Sequence, residues 1–445
     1  MMGIKNIQAY LFKPVSILPL AIFRIAFGFL LCFSQLRFIA KGWVDDCYIN
    51  PSFHFTYQYF NWVHPFTSET MYLIVALCAI SAFCIGLGLF YRFSTILFFI
   101  SFTYLELIEK SWYLNHYYFV SLVAFLLIWL PANNKYAIDP LFKKGSRTNM
   151  VPRWTVDILK FQLVIVYFFG GIAKLKPDWL LHAQPLKIWL KARTDFPIIG
   201  SLFDADITAF LFSWSGTLYD LCIPFLLWTK RTRPIAYILV ILFHILTYML
   251  FNIGMFPWLM MAGSLIFITA SEWKNLLQKL KININLTPSI PSPIKTKALI
   301  VPLILLYGVL QITIPLRHYF LSDNVLWSEN GIRFAWHVMV MEKNGFTEFK
   351  IIDQNTKKKF TVYPSQHLTP IQEKQMSFQP DMIWQFAQYL EKKHNTDGSK
   401  KLAIYVNSKV SLNGRPSQTY IDSNINLLHL TSVNSIYDYI EELQP

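Results

Sequence analysis

Three stretches of the sequence place ionisable or polar side chains at breaks in long apolar runs, where such groups are costly and point to chemistry. The first is FFGGIAKLKPDW at Phe168–Trp179, in which Lys174 ends an apolar run just after the Gly170-Gly171 pair. Partial withdrawal from water favours the neutral amine, so a lysine here can accept a proton. Two adjacent glycines let a helix or a flat ligand approach closely. The same residues also read as a membrane-edge belt, with Lys174 snorkelling beside Lys176, Asp178 and Trp179. The second stretch is EKSWYLNHYYF at Glu109–Phe119. His116 is its acid or base for work near neutral pH, and Asn115 is placed to orient it or a carbonyl. An aromatic belt around a satisfied histidine is the other reading. The third group is Arg24 and His244, each inside an apolar run, where an ionisable group either meets a buried partner or lines a watery cavity.

The elements that hold these residues are long apolar helices. The 445 residues are 54% apolar, 17% aromatic and only 15% charged, with mean hydropathy +0.36. A soluble domain carries about 25% charged residues, so the balance indicates a polytopic membrane protein and excludes disordered, collagen-like and small disulfide-stapled chains. About nine runs approach the ~20 residues a bilayer requires. They centre on Leu18–Leu36, Met71–Phe90, Phe93–Ile108, Tyr117–Leu130, Ile158–Ala173, Ile207–Trp228, Ile235–Phe251, Met255–Ala270 and Ala298–Leu316. The first lacks a small-residue cleavage site and is interrupted by Arg24, unlike a cleaved signal peptide. Lys5, Lys13, Arg92, the stretch 135–153, Lys230–Arg233 and the stretch 274–297 hold most of the Lys and Arg between the runs. The positive-inside rule then puts the N-terminus in the cytoplasm and the C-terminus outside it, with the Pro-rich stretch 287–293 as a cytoplasmic linker.

After Arg317 the long apolar runs stop and acidic and basic residues come close to balance. Phe349–Ile352 and Phe360–Tyr363 flank Asn355-Thr356-Lys357 as a hairpin would. Met382–Lys393 has apolar residues at helical spacing. Leu402–Val406 and Val410–Leu412 read as two strands, with Asn413-Gly414 as a turn. The expected fold is therefore an α-helical polytopic membrane domain over residues 1–316, carrying the site, plus a C-terminal extracytoplasmic α+β domain over residues 317–445.

Net charge is +14, but the basic residues are scattered in short runs and form no nucleic-acid footprint. The five cysteines show no metal spacing. Four lie in apolar runs, and only Cys47 falls in a polar loop, so no disulfide is expected. No GxSxG, P-loop, HExxH or GxGxxG is present, and no metal site is expected.

The stretches FRIAFG (Phe23–Gly28), SWYLNHYY (Ser111–Tyr118), FQLVIVYFFGGIAKLKPDW (Phe161–Trp179), FNIGMF (Phe251–Phe256), FAWHVMV (Phe334–Val340) and SLNGRPSQTYID (Ser411–Asp422) occur in this order. In them the chain resembles the vitamin K-dependent gamma-glutamyl carboxylase family and its wider HTTM relatives, as a short, bacterial-type member. The resemblance implies that Lys174 is the base that deprotonates reduced vitamin K. The oxygenated quinone then removes a γ-proton from a glutamate in a peptide or protein substrate. The carbanion takes up CO2, and the quinone leaves as its epoxide. Asn115 and His116 belong to the same site, with the histidine assisting the carbanion step. Gly170, Gly171, Trp112, Tyr117, His244 and Met255 are the expected contacts of the quinone, which is vitamin K hydroquinone or menaquinol drawn from membrane lipid; O2 and CO2 are co-substrates. The animal enzymes have a further C-terminal region with a propeptide-docking surface, and an inter-loop disulfide where this chain has only Cys47. Two rival readings are a quinone-binding HTTM epoxidase or oxidoreductase without carboxylase activity, and a non-catalytic transport or scaffold protein. No inverted repeat of broken helices of the kind many transporters show supports the last.

Overall fold

In a computed structural model, which describes residues 4–142, 148–284, 297–321, 324–396 and 398–444, the chain is a bundle of apolar helices followed by a sheet-containing domain. The linker expected at 287–293 lies outside the described residues. The bundle helices are α1 (Leu18–Ala40), α2 (Ser68–Leu87), α3 (Tyr91–Ile108), α4 (Asn115–Trp129), α5 (Trp154–Ala173), α6 (Asp206–Trp228), α7 (Arg233–Leu250), α8 (Phe256–Ser264) and α9 (Lys297–Leu316). Among the described residues seven helices are long and apolar enough to cross a membrane. The remaining two runs, Asn115–Trp129 and Phe256–Phe267, are helical but shorter. On α7 and α9 apolar side chains such as Ile238, Leu242, Leu303 and Leu306 stay exposed. An apolar outer face on a helix suits lipid.

Close backbone contact decides the packing of α1 on α2. A Cβ on Gly28 would stand 2.3 Å from the Gly86 backbone nitrogen, so only glycine permits this approach. Arg24, one turn earlier, finds its partners in the same place. Its guanidinium donates to the carbonyls of Ile85 (2.7 Å), Gly86 (2.6 Å), Ala132 (3.2 Å) and Tyr136. These carbonyls lie at the end of α2 and in the loop after α4, where the helical hydrogen-bond ladder runs out. Arg24 is thus a backbone clamp, and the buried partner is main chain. A two-stranded ladder, β1 (Pro14–Ser16) with β2 (Met150–Pro152), ties the segment before α1 to that before α5.

The C-terminal domain is an antiparallel sheet of order β4-β3-β5-β6, formed by β3 (Lys343–Asp353), β4 (Lys359–Val362), β5 (Leu402–Leu412) and β6 (Gln418–Thr419). It is packed with α10 (Pro370–Met376) and α11 (Pro380–His394). The β3–β4 hairpin pairs Phe349 with Val362 and Ile352 with Lys359. On α11, Met382, Ile383, Phe386, Ala387 and Leu390 are buried at helical spacing against Phe349 and Ile404. The two strands expected at 402–406 and 410–412 are one. Ser408 is fully buried in the middle, and its hydroxyl accepts the Ile421 N–H at 3.1 Å. The in–out alternation therefore runs on through a polar residue.

All five cysteines are free. Cys47, placed in a polar loop by its neighbours, is instead buried in the helical turn Asp45–Ile49.

Candidate active site

Lys174 is the C-cap of α5, and its backbone N–H bonds the Gly171 carbonyl. Its Nζ does not snorkel. The side chain is buried, and Nζ lies 2.7 Å from Asp220 Oδ2 on α6 and 3.2 Å from the Gly170 carbonyl oxygen. The ammonium also stands 5.5 Å over the ring of Trp179. Trp179 is turned inward, its Nε1 donating to Ser213 O and Thr217 Oγ1 at 3.0 Å each. Asp178 faces the C-terminal domain, accepting two bonds from Arg415 at 2.7 and 2.8 Å and one from Asn413 Nδ2 at 2.8 Å. The membrane-edge belt is thus taken apart: Lys174, Asp178 and Trp179 each have a specific hydrogen-bond partner, and Lys176 lies over the Tyr319 ring at 5.4 Å. Asp220 was not singled out from sequence, although it is the one acid well inside the Ile207–Trp228 run.

The α5–α6 contact that makes the pair possible rests on the glycine pair. A Cβ on Gly171 would meet Leu221 Cδ2 at 2.7 Å, so Gly171 packs helix on helix, and the chamber wall beside Lys174 includes Gly170 but not Gly171. Gly170 faces the other way, with Asp220 Oδ2 3.7 Å from its Cβ position.

Lys174, Asp220, Gly170 and His244 line an inner chamber walled by Tyr167, Phe212, Phe243 and Gly216. His244 Nε2 bonds the Tyr167 hydroxyl at 3.0 Å, while its Nδ1 has no partner. A second, larger chamber of about 980 Å³ is lined by Asn115, His116, Trp112, Tyr117 and Met255 together with His337. Trp189, Phe251, Ile253, Phe256, Val338 and Met339 belong to both walls. The residues expected around one cavity are therefore divided between two that adjoin, with aromatic rings and residues 338–339 of the tail between them.

In the outer chamber Asn115 is held from both ends. Its Oδ1 accepts from the Tyr113 hydroxyl (3.1 Å), and its Nδ2 donates to the His337 carbonyl (3.0 Å). His116 packs against the rings of Tyr117 and Phe256 and makes no side-chain hydrogen bond among the described residues. His337 had no role in the sequence reading. Both its ring nitrogens are buried without a partner. Burial, with His318 and Lys176 nearby, pushes its imidazole down to about 3, so it is neutral at physiological pH.

Buried polar contacts fix the C-terminal domain against this region. Lys110 Nζ reaches Asp381 Oδ2 at 2.6 Å, and Arg333 meets the same oxygen at 2.8 Å. Burial alone would raise the Asp381 carboxyl, but Arg333 and Lys110 outweigh it and hold the group well below the usual range. Glu109 Oε2 accepts from Gln372 Nε2 at 2.7 Å and from the Phe55 N–H at 3.2 Å. Among the described residues no group of three or more His, Cys, Asp or Glu is placed to hold a metal ion.

Fold and chambers together define a class: a multi-pass membrane protein with a buried lysine–aspartate pair in the bundle, closed by an α+β domain. Residues 12–273 match the family model described as HTTM domain, and residues 296–444 match the one described as vitamin K-dependent gamma-carboxylase, lumenal domain. No solved structure matches the chain. The chain belongs to the gamma-carboxylase family of HTTM proteins.

Proposed function

We propose that the chain is a vitamin K-dependent gamma-carboxylase acting on glutamate in a peptide or protein, with its C-terminal domain outside the cytoplasm. The observation that carries this is Lys174 Nζ held between Asp220 and the Gly170 carbonyl in a chamber that adjoins the one lined by Asn115 and His116. The inner chamber suits a quinone in kind. Its wall is aromatic, and beside Gly216 nothing lies within 4 Å of where a Cβ would be. Its free volume is about 90 Å³, below the roughly 150 Å³ of a cavity that takes benzene, so the side chains of the wall must give to admit a two-ring head group.

Bound in reduced form and oxygenated, a vitamin K-type quinone supplies the base that removes the glutamate γ-proton, so that CO2 adds at that carbon. The chain's own residues do the rest. In the ion pair Lys174 is an ammonium, so Nζ takes a hydroxyl proton only as it passes one of its own to Asp220 Oδ2, 2.7 Å away. Gly170 O fixes the direction of Nζ. Asn115, with both ends of its amide engaged, presents a fixed dipole to the outer chamber, and His116 is the proton-transfer group beside it. The shared aromatic wall keeps water from a carbanion that water would quench.

The test gives purified full-length protein reduced vitamin K, O2, labelled bicarbonate and a glutamate-containing peptide. Label should enter the peptide and epoxide should form, and both should be lost in Lys174→Ala. Epoxide without label supports the epoxidase reading instead; neither product from folded protein, across several quinones and peptides, overturns both.

A further inference from the structure

The outer chamber has one permanently charged side chain in its wall, Arg37 near the end of α1, and no Asp or Glu at all. Its guanidinium stacks over the Trp43 ring at 4.8 Å. Five other cations around the chambers and the C-terminal domain do have an acid: Lys174 has Asp220, Lys110 and Arg333 share Asp381, Lys343 has Glu329, and Arg415 has Asp178. Arg37 has none and donates no side-chain hydrogen bond among the described residues. A second observation points the same way. Trp43 packs on Trp112 at 6.4 Å between ring centroids, and Trp112 Nε1, also of this chamber's wall, is a buried donor without an acceptor. The wall thus offers an unpaired guanidinium and an unpaired indole N–H, and supplies no anionic acceptor for either. Half-buried donors left so are costly unless a ligand brings the acceptor.

Resting on the carboxylase reading, we propose that Arg37 anchors the side-chain carboxylate of the substrate glutamate in the outer chamber, with Trp112 Nε1 as an additional donor. The guanidinium fork matches a carboxylate in two parallel hydrogen bonds. A fixed cation on that carboxylate also stabilises the charge that develops at the adjacent carbon when the γ-proton leaves. The anchor would further select glutamate over glutamine, because the neutral amide forfeits the charge-assisted contact.

The experiment measures labelled-bicarbonate uptake against peptide concentration for the wild type, Arg37→Gln, Arg37→Lys and Trp112→Phe. Arg37→Gln should raise KM for the peptide on the order of tenfold to a hundredfold and leave KM for the quinone unchanged. Arg37→Lys should recover part of the loss, and Trp112→Phe should show a smaller rise. In parallel, binding of a glutamate peptide and its glutamine counterpart is read from tryptophan fluorescence in the same proteins, since Trp43, Trp112 and Trp189 lie in the wall. The wild type should prefer the glutamate peptide and Arg37→Gln should not. Unchanged peptide KM and unchanged preference in Arg37→Gln overturn the anchor while leaving the carboxylase reading intact. A wild type that carboxylates nothing, yet binds the glutamate peptide preferentially through Arg37, overturns the reaction and upholds the anchor. Should Arg37→Gln fail to fold, Arg37→Lys and Trp112→Phe decide: full wild-type KM and preference in both overturn the proposal.

Discussion

Replacing Asp220 by asparagine tests the buried pair most directly. Lys174 Nζ and Asp220 Oδ2 are 2.7 Å apart, on side chains only 8% and 11% exposed. At an effective dielectric constant near 20, two unit charges at that separation attract by about 6 kcal/mol. Most of this offsets the cost of withdrawing both charges from water, so the intact pair adds little net stability. A single truncation does not share that balance. Asp220→Asn leaves a buried ammonium with the Gly170 carbonyl, 3.2 Å away, as its remaining full acceptor. The expected loss is about 3–5 kcal/mol, and Lys174→Met, which strands the carboxylate, should cost a similar amount. With both changes no buried charge remains, so the double variant should return to within about 2 kcal/mol of the wild type. The cycle would then show a coupling of about 3 kcal/mol or more. Denaturant unfolding of the full chain in detergent micelles, followed by tryptophan fluorescence, reads all four proteins. Label uptake, measured separately, should be lost in every variant. Singles that each cost under about 1 kcal/mol and simply add in the double variant would refute the pair, since two independently solvated groups behave that way.

Four other outcomes are expected. Gly171→Ala, whose new Cβ would meet Leu221 Cδ2 at 2.7 Å, should destabilise by about 1–3 kcal/mol. Gly216→Ala meets nothing within 4 Å, so it should leave unfolding unchanged or improve it by about 0.5–1 kcal/mol, yet raise KM for the quinone by placing a methyl group in the inner chamber; the reverse pattern would mean the two glycines have exchanged roles. Burial pushes the Glu109 carboxyl up to about 7 from an ordinary value of 4.5, against the pull of Ser111, Gln372 and the Phe55 N–H. The folded protein therefore binds the extra proton, and this contribution is full below the ordinary value and lost as pH rises through about 7, at most about 3 kcal/mol. Comparing the wild type with Glu109→Gln at about pH 5 and about pH 8 should show the gap between them changing by that order, and a constant gap would exclude the titration. Arg24→Met removes the donor from four carbonyls and should cost about 3 kcal/mol or more in the same unfolding assay, with Arg24→Lys recovering only part because one ammonium cannot reproduce the guanidinium's spread of donors.

Residues that break an apolar run carry their own signal, which is why Lys174, Asn115, His116 and His244 stood out from the sequence alone. The nine apolar runs were legible for a related reason, since hydropathy over about 20 residues reports length and lipid directly. What stayed hidden was whatever depends on a partner. Arg24 could not be matched to a side chain because its partners are main-chain carbonyls, which no letter of the sequence marks. The polar run Asn407-Ser408-Lys409 divides the two expected strands, while the N–H that the Ser408 hydroxyl accepts belongs to Ile421, thirteen residues on. Gly170 and Gly171 are the same letter, and only the faces of α5 tell the residue that opens a chamber from the one that lets α6 approach. Asp220 is different in kind, because its signal was present. An acid inside an apolar run is as costly as a base inside one, and the same rule that drew attention to Lys174 requires a counter-charge for it once it is buried. The two form a single inference: a lysine withdrawn from both water and headgroups implies an acid on whichever helix its neighbouring glycine allows to come close, and Gly171 against Leu221, next to Asp220, names that helix.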